Sequence, residues 1–271
     1  CEGQPTLAEA VAVDVVAREP EPRVLSFAGY EWTVKVCDVP CGPGPNRFSS
    51  LPEDVWVDGD GLHLSIHDQE GVWHCTEVIS DRSFGYGVYT IETHGRVDDL
   101  DPNAVLGLFT WDDDAPPYYR ELDIEFARWG NTAEPTNGQF VVQPCGACPG
   151  CDDRCSRFRV EPNESCDDLT HYITWAPGSV AFRTYCGHHL GAFPPDDQQV
   201  HAWAYEGAYV PEPGDERVRF NLWLVNGDAP QGGLPQEMLI TDFAWQPAPL
   251  LVTTPNGGET WACGETRAIT W

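Results

Sequence analysis

The sequence predicts an all-β sandwich, on three observations: short runs of alternating apolar and polar residues, turn residues between them, and no long helical periodicity. Val55-Trp56-Val57 is followed by the turn Asp58-Gly59-Asp60-Gly61. Leu62, Leu64 and Ile66 then alternate with His63, Ser65 and His67, which reads as strand, turn, strand. Similar runs fall at 86–93, 104–111, 121–128, 138–143, 171–175, 180–185, 218–225 and 237–245. Ala176-Pro177-Gly178-Ser179 and Asn226-Gly227 are turn signals among them. Eleven Trp, 26 Gly and 24 Pro suit many short strands and tight turns. Antiparallel strands without intervening helices close into sandwiches or barrels.

At 271 residues and 41% apolar content the chain can bury a sizeable core. Fifteen basic against 43 acidic residues give a net charge of −28, which repels phosphate backbones and anionic headgroups. Nucleic acid is excluded as a partner on that ground, and a neutral or cationic one fits. Lys35 is the single lysine. Nowhere do about 18 apolar residues run together, so no segment reads as a membrane-spanning helix.

Eleven cysteines, at 1, 37, 41, 75, 145, 148, 151, 155, 166, 186 and 263, are a density expected of an exported chain with disulfides. Cys1 resembles the lipid-bearing first residue of a processed bacterial lipoprotein. The acidic, Ala/Pro-rich residues 1–22 read as a tether, so membrane contact is expected only through a lipid on Cys1. Residues 23–247 form the main domain, interrupted by a Cys-rich surface insertion at 144–170. Residues 248–271 restart with Pro255-Asn256-Gly257-Gly258-Glu259-Thr260-Trp261 and resemble the opening of a small cell-wall-type β module, truncated or folded back. Cys145-x2-Cys148-x2-Cys151-x3-Cys155 has the spacing of an iron–sulfur run, but Ser156 stands where that pattern has Pro. Four thiols could also hold zinc. Export favours disulfides, with 145–166 stapled to itself or to Cys186.

The chemistry concentrates in Glu121-Leu122-Asp123-Ile124-Glu125-Phe126. Residues two apart on a strand share a face, so Glu121, Asp123 and Glu125 project to one side and Leu122, Ile124 and Phe126 to the other. Stacked like charges raise at least one pKa, which suits a protonated acid beside an ionised base. Trp111, Tyr118, Tyr119 and Trp129 flank the run, and aromatic rings beside carboxylates suit sugar stacking. Asn221 and Trp223 share a face opposite Leu222 and Leu224, setting an amide beside an indole.

Glu-Leu-Asp-Ile-Glu-Phe resembles the Glu-x-Asp-x-Glu signature of glycoside hydrolase family 16, the lichenase, laminarinase, agarase and xyloglucan transglycosylase group. Trp73-His74-Cys75-Thr76-Glu77-Val78, Ser83-Phe84-Gly85-Tyr86-Gly87-Val88-Tyr89 and Val105-Leu106-Gly107-Leu108-Phe109 are similar to its preceding strands. His171-Tyr172-Ile173-Thr174-Trp175-Ala176-Pro177 and Phe220-Asn221-Leu222-Trp223 are similar to its later ones, in order over residues 24 to 247. The resemblance implies a jelly roll of two antiparallel sheets with a carbohydrate cleft on the concave one. It also implies a retaining endo-hydrolase needing no cofactor for catalysis, secreted or at the cell surface and monomeric. The implied substrate is a neutral polysaccharide, first a β-1,3- or mixed β-1,3/1,4-glucan, with β-galactan hydrolysis or glucan transglycosylation as alternatives. A non-catalytic glycan-binding lipoprotein is the reading from another class.

Carried over residue by residue, Glu121 resembles the nucleophile, Glu125 the general acid/base and Asp123 the central carboxylate that modulates them. Glu77, Asn221 and Trp223 resemble residues that hold the donor sugar. Val141 and Gln143 stand where lichenase-like members place an Asn and a Tyr toward the sugar, so Gln143 is a candidate cleft residue. Asp242, in Thr241-Asp242-Phe243, sits where family members contribute a carboxylate to a structural Ca²⁺.

Overall fold

The computed structural model describes residues 22–145, 152–162, 166–191 and 194–248. Strands are numbered along the chain. The first sheet has the order β1 (Val24–Phe27), β2 (Tyr30–Val34), β7 (Val72–Ser80), β16 (Arg217–Leu224), β9 (Ala104–Trp111), β10 (Leu122–Ala127), β11 (Gly138–Val142) and β12 (Cys155–Phe158). The second runs β5 (Val55–Val57), β6 (Leu62–Gln69), β17 (Gln236–Pro247), β8 (Gly87–His94), β13 (Asp168–Ala176), β14 (Ser179–Cys186) and β15 (Gln199–Glu206). Every pairing within these two orders is antiparallel. Neighbours far apart in sequence, such as β7 with β16 and β8 with β17, make this a jelly roll rather than a meander. The hairpin from β6 into β7 passes from the second sheet to the first. Beside it lie β3 (Cys37–Cys41) and β4 (Asn46–Phe48), the latter parallel to β7.

The core sits between the sheets because each strand sends alternate side chains inward. Leu122, Ile124 and Phe126 of β10 are fully buried, as are Leu106 and Leu108 of β9 and Phe220 and Leu222 of β16. Across the interface Phe140 stacks on Phe182 at 5.3 Å and Trp32 meets Phe243 edge-on at 5.5 Å, while within the first sheet Trp32 stacks on Phe220 at 4.8 Å. Each such side chain contributes about 1.5–3 kcal/mol on leaving water, so the apolar face of β10 anchors the carboxylates on its other face.

The expected strands are present, with shifts of at most three residues at their ends. Two expectations change. The Cys-rich stretch is more than a surface insertion, since β12 adds a strand to the first sheet beside β11. Of the seven cysteines in the described residues, Cys37–Cys41 and Cys166–Cys186 are bonded, the latter tying the stretch to Cys186. Cys75 is a buried thiol, its Sγ donating to Asn46 Oδ1 at 3.4 Å. Cys145 and Cys155 are unbonded. Cys1 with the tether, Cys148, Cys151, and Cys263 with the C-terminal module lie outside the described residues.

Candidate active site

The register of the first sheet sets the site. Asn221 faces Glu77 on one side and Gly107 on the other; Gly107 faces Glu125, and Glu125 faces Gln139. In the next row Arg219, Phe109, Asp123 and Val141 follow in line. Glu121 lies just before β10, after Tyr119 and Arg120 at positive φ (53° and 52°), and its carbonyl accepts Gln143 N–H at 3.2 Å. Of these residues Glu77, Gly107, Phe109, Glu121, Asp123, Glu125, Arg219 and Asn221 line a cleft of about 260 Å³, together with Lys35, Trp111, Asp113 and Trp223.

Gly107 leaves no room for a side chain beside Asn221. A Cβ there would lie 2.4 Å from Asn221 Oδ1, so Gly107→Ala is expected to push the Asn221 amide off Glu77. We expect it to lower activity at least tenfold with the fold retained, measured by initial rates and circular dichroism; wild-type rates would show that Asn221 is not needed.

Each carboxylate has its own partners. Gln139 Nε2 donates to Glu125 Oε2 at 2.6 Å, and Gln143 Nε2 donates to Asp123 Oδ2 at 3.0 Å. Asp123 is 3% exposed and shares a hydrogen bond with Glu121. Burial, reinforced by the Glu125 charge, pushes Glu121 up to about 8; burial pushes Glu125 up to about 7, against the Gln139 bond and Arg157. Asp123 is raised well above the carboxylate range by burial and then by both glutamates. In the sugar-free cleft burial therefore favours the protonated form of all three carboxyls.

These raised values bind protons more tightly in the folded than in the unfolded chain. Their contribution to stability is full below the unfolded value near 4.3 and is lost as pH rises through about 7 to 8. The melting temperature should therefore fall between pH 5 and 8, and fall less in a Glu121→Gln, Glu125→Gln double variant. Parallel curves for the two proteins would contradict this.

Glu77 is 1% exposed and sits in a charge network rather than free beside a sugar. Lys35 Nζ reaches Glu77 Oε2 at 3.0 Å, Arg219 Nη1 reaches Oε1 at 3.2 Å, and Asn221 Nδ2 donates to Oε2 at 3.2 Å. Arg219 Nη2 continues to Asp113 Oδ2 at 2.7 Å, and Trp111 Nε1 donates to Asp113 Oδ1 at 2.8 Å. Asn221 Oδ1 and Arg219 Nε are buried with no hydrogen-bond partner among the described residues.

The predicted aromatics divide. Trp111 and Trp223 line the cleft. Tyr119 stacks behind Trp111 at 4.2 Å, and Trp129 meets Trp223 at 6.1 Å and 62°. Tyr118, 44% exposed, opens onto a neighbouring groove lined by Glu121, Gln143 and Tyr209, with Tyr209 packed edge-on at 6.0 Å. The sequence reading missed Lys35, Arg219, Asp113, Gln139 and Tyr209. Alternation with Asn221 and Trp223 would have found Arg219, and the isolation of the single lysine was a signal for Lys35.

Asp242 lies on β17 opposite Glu92, with its Oδ1 accepting Phe243 N–H at 2.7 Å. Glu92 Oε1 is already held by His189 N–H at 2.6 Å. Among the described residues no three His, Cys, Asp or Glu side chains come together as metal ligands.

The fold and cleft define a jelly-roll sandwich with a row of three carboxylates across its concave sheet. No family model matches the sequence, and no curated protein does. Solved structures do. A β-glucanase of Bacillus licheniformis superposes with a TM-score of 0.59 at 16% identity, covering 85% of this chain and 100% of its own. A glycoside hydrolase family 16 protein of Bacteroides ovatus, bound to a mixed-linkage glucan product, gives 0.58 at 14%, covering 79% and 94%. A laminarinase of a Flavobacterium species gives 0.58 at 12%, covering 79% and 92%. The chain has the fold of glycoside hydrolase family 16.

Proposed function

We propose that the chain is a retaining endo-β-glucanase of that family, acting as an exported monomer on a neutral β-1,3- or mixed β-1,3/1,4-glucan. The observation that carries this reading is the row of Glu121, Asp123 and Glu125, the aspartate buried and the two glutamates half-buried, in a cleft walled by Trp111 and Trp223. A purely structural strand gains nothing from three carboxyls crowded side by side, whereas a double displacement uses all three. Glu121 attacks the anomeric carbon while Glu125 gives its proton to the departing glycosidic oxygen. Glu125 then takes a proton from water, which releases the sugar from Glu121. Asp123, protonated by its enclosure, donates its hydrogen bond to Glu121, which favours the ionised nucleophile once sugar fills the cleft. No cofactor takes part in these steps. The neutral substrate is supported by the −28 net charge, and export by the two disulfides.

Incubation of the purified protein with laminarin, mixed-linkage β-glucan, agarose and xyloglucan, with products sized by chromatography, tests the proposal. Oligosaccharides from the first two are expected; binding without cleavage would favour a non-catalytic glycan-binding protein. Trp223→Ala should raise KM about tenfold with little change in melting temperature, since this indole is only partly buried and spends its exposed face on the cleft. A collapse in stability with unchanged KM would make it a core residue instead.

A further inference from the structure

Cys145 and Cys155 lie outside the chemistry described so far, yet they stand at the back of the catalytic row. Cys155 opens β12 and pairs with Val141 of β11, and Val141 in turn pairs with Asp123. Both thiols are partly buried, and the two side chains are within hydrogen-bonding reach of each other. Cys145 is also tied to the carboxylates. Its backbone N–H donates to Gln143 Oε1 at 2.6 Å, and the other end of the same amide donates to Asp123 Oδ2 at 3.0 Å. Gln143 thus spans from the cysteine to the central carboxylate, with both ends of its amide used.

We propose that Cys145 and Cys155 form a disulfide that positions Gln143 against Asp123. The assigned role of Asp123 rests on the hydrolase reading; the bond and its link to Gln143 do not. The bond forms by thiol–disulfide exchange with a small-molecule or protein disulfide. The thiolate of one cysteine attacks the donor's disulfide sulfur and expels one thiolate. The second cysteine then displaces the other half of the donor, leaving one new S–S bond and two reduced donor thiols. The bond clamps residue 145, just beyond the end of β11, to the outermost strand of the sheet, so Cys145 N–H keeps Gln143 from turning away. Gln143 favours the ionised form of Asp123, and the disulfide therefore limits how far burial raises that carboxyl.

Non-reducing trypsin digestion of the denatured full chain tests the bond, because cleavage at Arg154 and Arg157 isolates Cys155-Ser156-Arg157. Tandem mass spectrometry should find that tripeptide attached through Cys145. Its attachment to another cysteine, a free thiol, or stoichiometric zinc or iron would overturn the proposal. The link to the site is read by ¹³C NMR titration of the Asp123 carboxyl, which requires no turnover. A Cys145→Ser, Cys155→Ser variant should titrate at higher pH at Asp123 than the wild type. Gln143→Ala should give the same shift, and adding it to the double variant should shift nothing further. Additive shifts, or none, would remove the positioning role. If the double variant does not fold, mild reduction of the wild-type protein gives the same titration readout. Should the wild type cleave no glucan, the hydrolase reading fails while these measurements still decide the bond.

Discussion

Glu121→Gln is expected to lower kcat on β-glucan at least 10³-fold while leaving oligosaccharide affinity within a few-fold of wild type. The amide keeps the shape of the carboxyl and its place beside Asp123 but cannot attack an anomeric carbon. Glu125→Gln should be nearly as damaging on unactivated glucan and much less so on a substrate whose leaving group needs no proton, because Glu125 is assigned the acid role. That contrast separates the two glutamates, whose raised pKa values of about 8 and about 7 do not. The wild-type enzyme should also retain configuration. Residues four apart on a flat strand lie about 13 Å apart at the backbone, while retaining enzymes hold their carboxyls about 5 Å apart. Here Glu121 leaves the regular strand through the left-handed pair Tyr119 and Arg120, and it carries both the hydrogen bond to Asp123 and the charge of Glu125. The side chains therefore converge. Time-resolved NMR of the newly formed reducing end should show the β-anomer first; the α-anomer first would sink both the mechanism and the assignment of roles.

How much of this could be read without the structure depended on range. The strands were legible because period-2 alternation is local: Leu122, Ile124 and Phe126 had to face the core if Glu121, Asp123 and Glu125 faced the other way. The row of three carboxylates followed from the same arithmetic. What alternation cannot give is which strands lie side by side. Lys35 meets Glu77 across 42 residues and Arg219 meets it across 142, so the contacts that join them around Glu77 were invisible even where the residues themselves carried a signal. The aromatic run was harder to place for a related reason. Tyr118, Tyr119 and Trp129 sit at turns, two of them at positive φ, where alternation no longer fixes the direction of a side chain. Tyr119 stacks on Trp111 and Trp129 packs against Trp223, and it is Trp111 and Trp223 that line the 260 Å³ cleft.

Glu77→Ala follows from that unread network and should be the most destabilising single change in the cleft wall. An exposed ion pair contributes about 0–1 kcal/mol, so deleting one partner there costs little. Glu77 is different, being 1% exposed and placed between Lys35 at 18% and Arg219 at 8% side-chain exposure. Its removal leaves two cations facing each other in a poorly hydrated wall, with Asp113 left to compensate only Arg219. Breaking a buried pair on these terms costs about 3–5 kcal/mol, much of it from the charges left behind. Lys35 keeps some contact with water, which places the expected loss near the lower figure, about 3 kcal/mol. Glu77→Gln should cost less, because one amide can still accept from Asn221 or Arg219. Removing the cation in turn tests the origin of the loss: Lys35→Met in the Glu77→Ala background should restore part of the stability by taking away one unpaired charge. Denaturant unfolding at pH 7 measures all three variants. A loss under 1 kcal/mol for Glu77→Ala, or no recovery with Lys35→Met, would mean that both cations turn out to solvent and that the network does not support the wall.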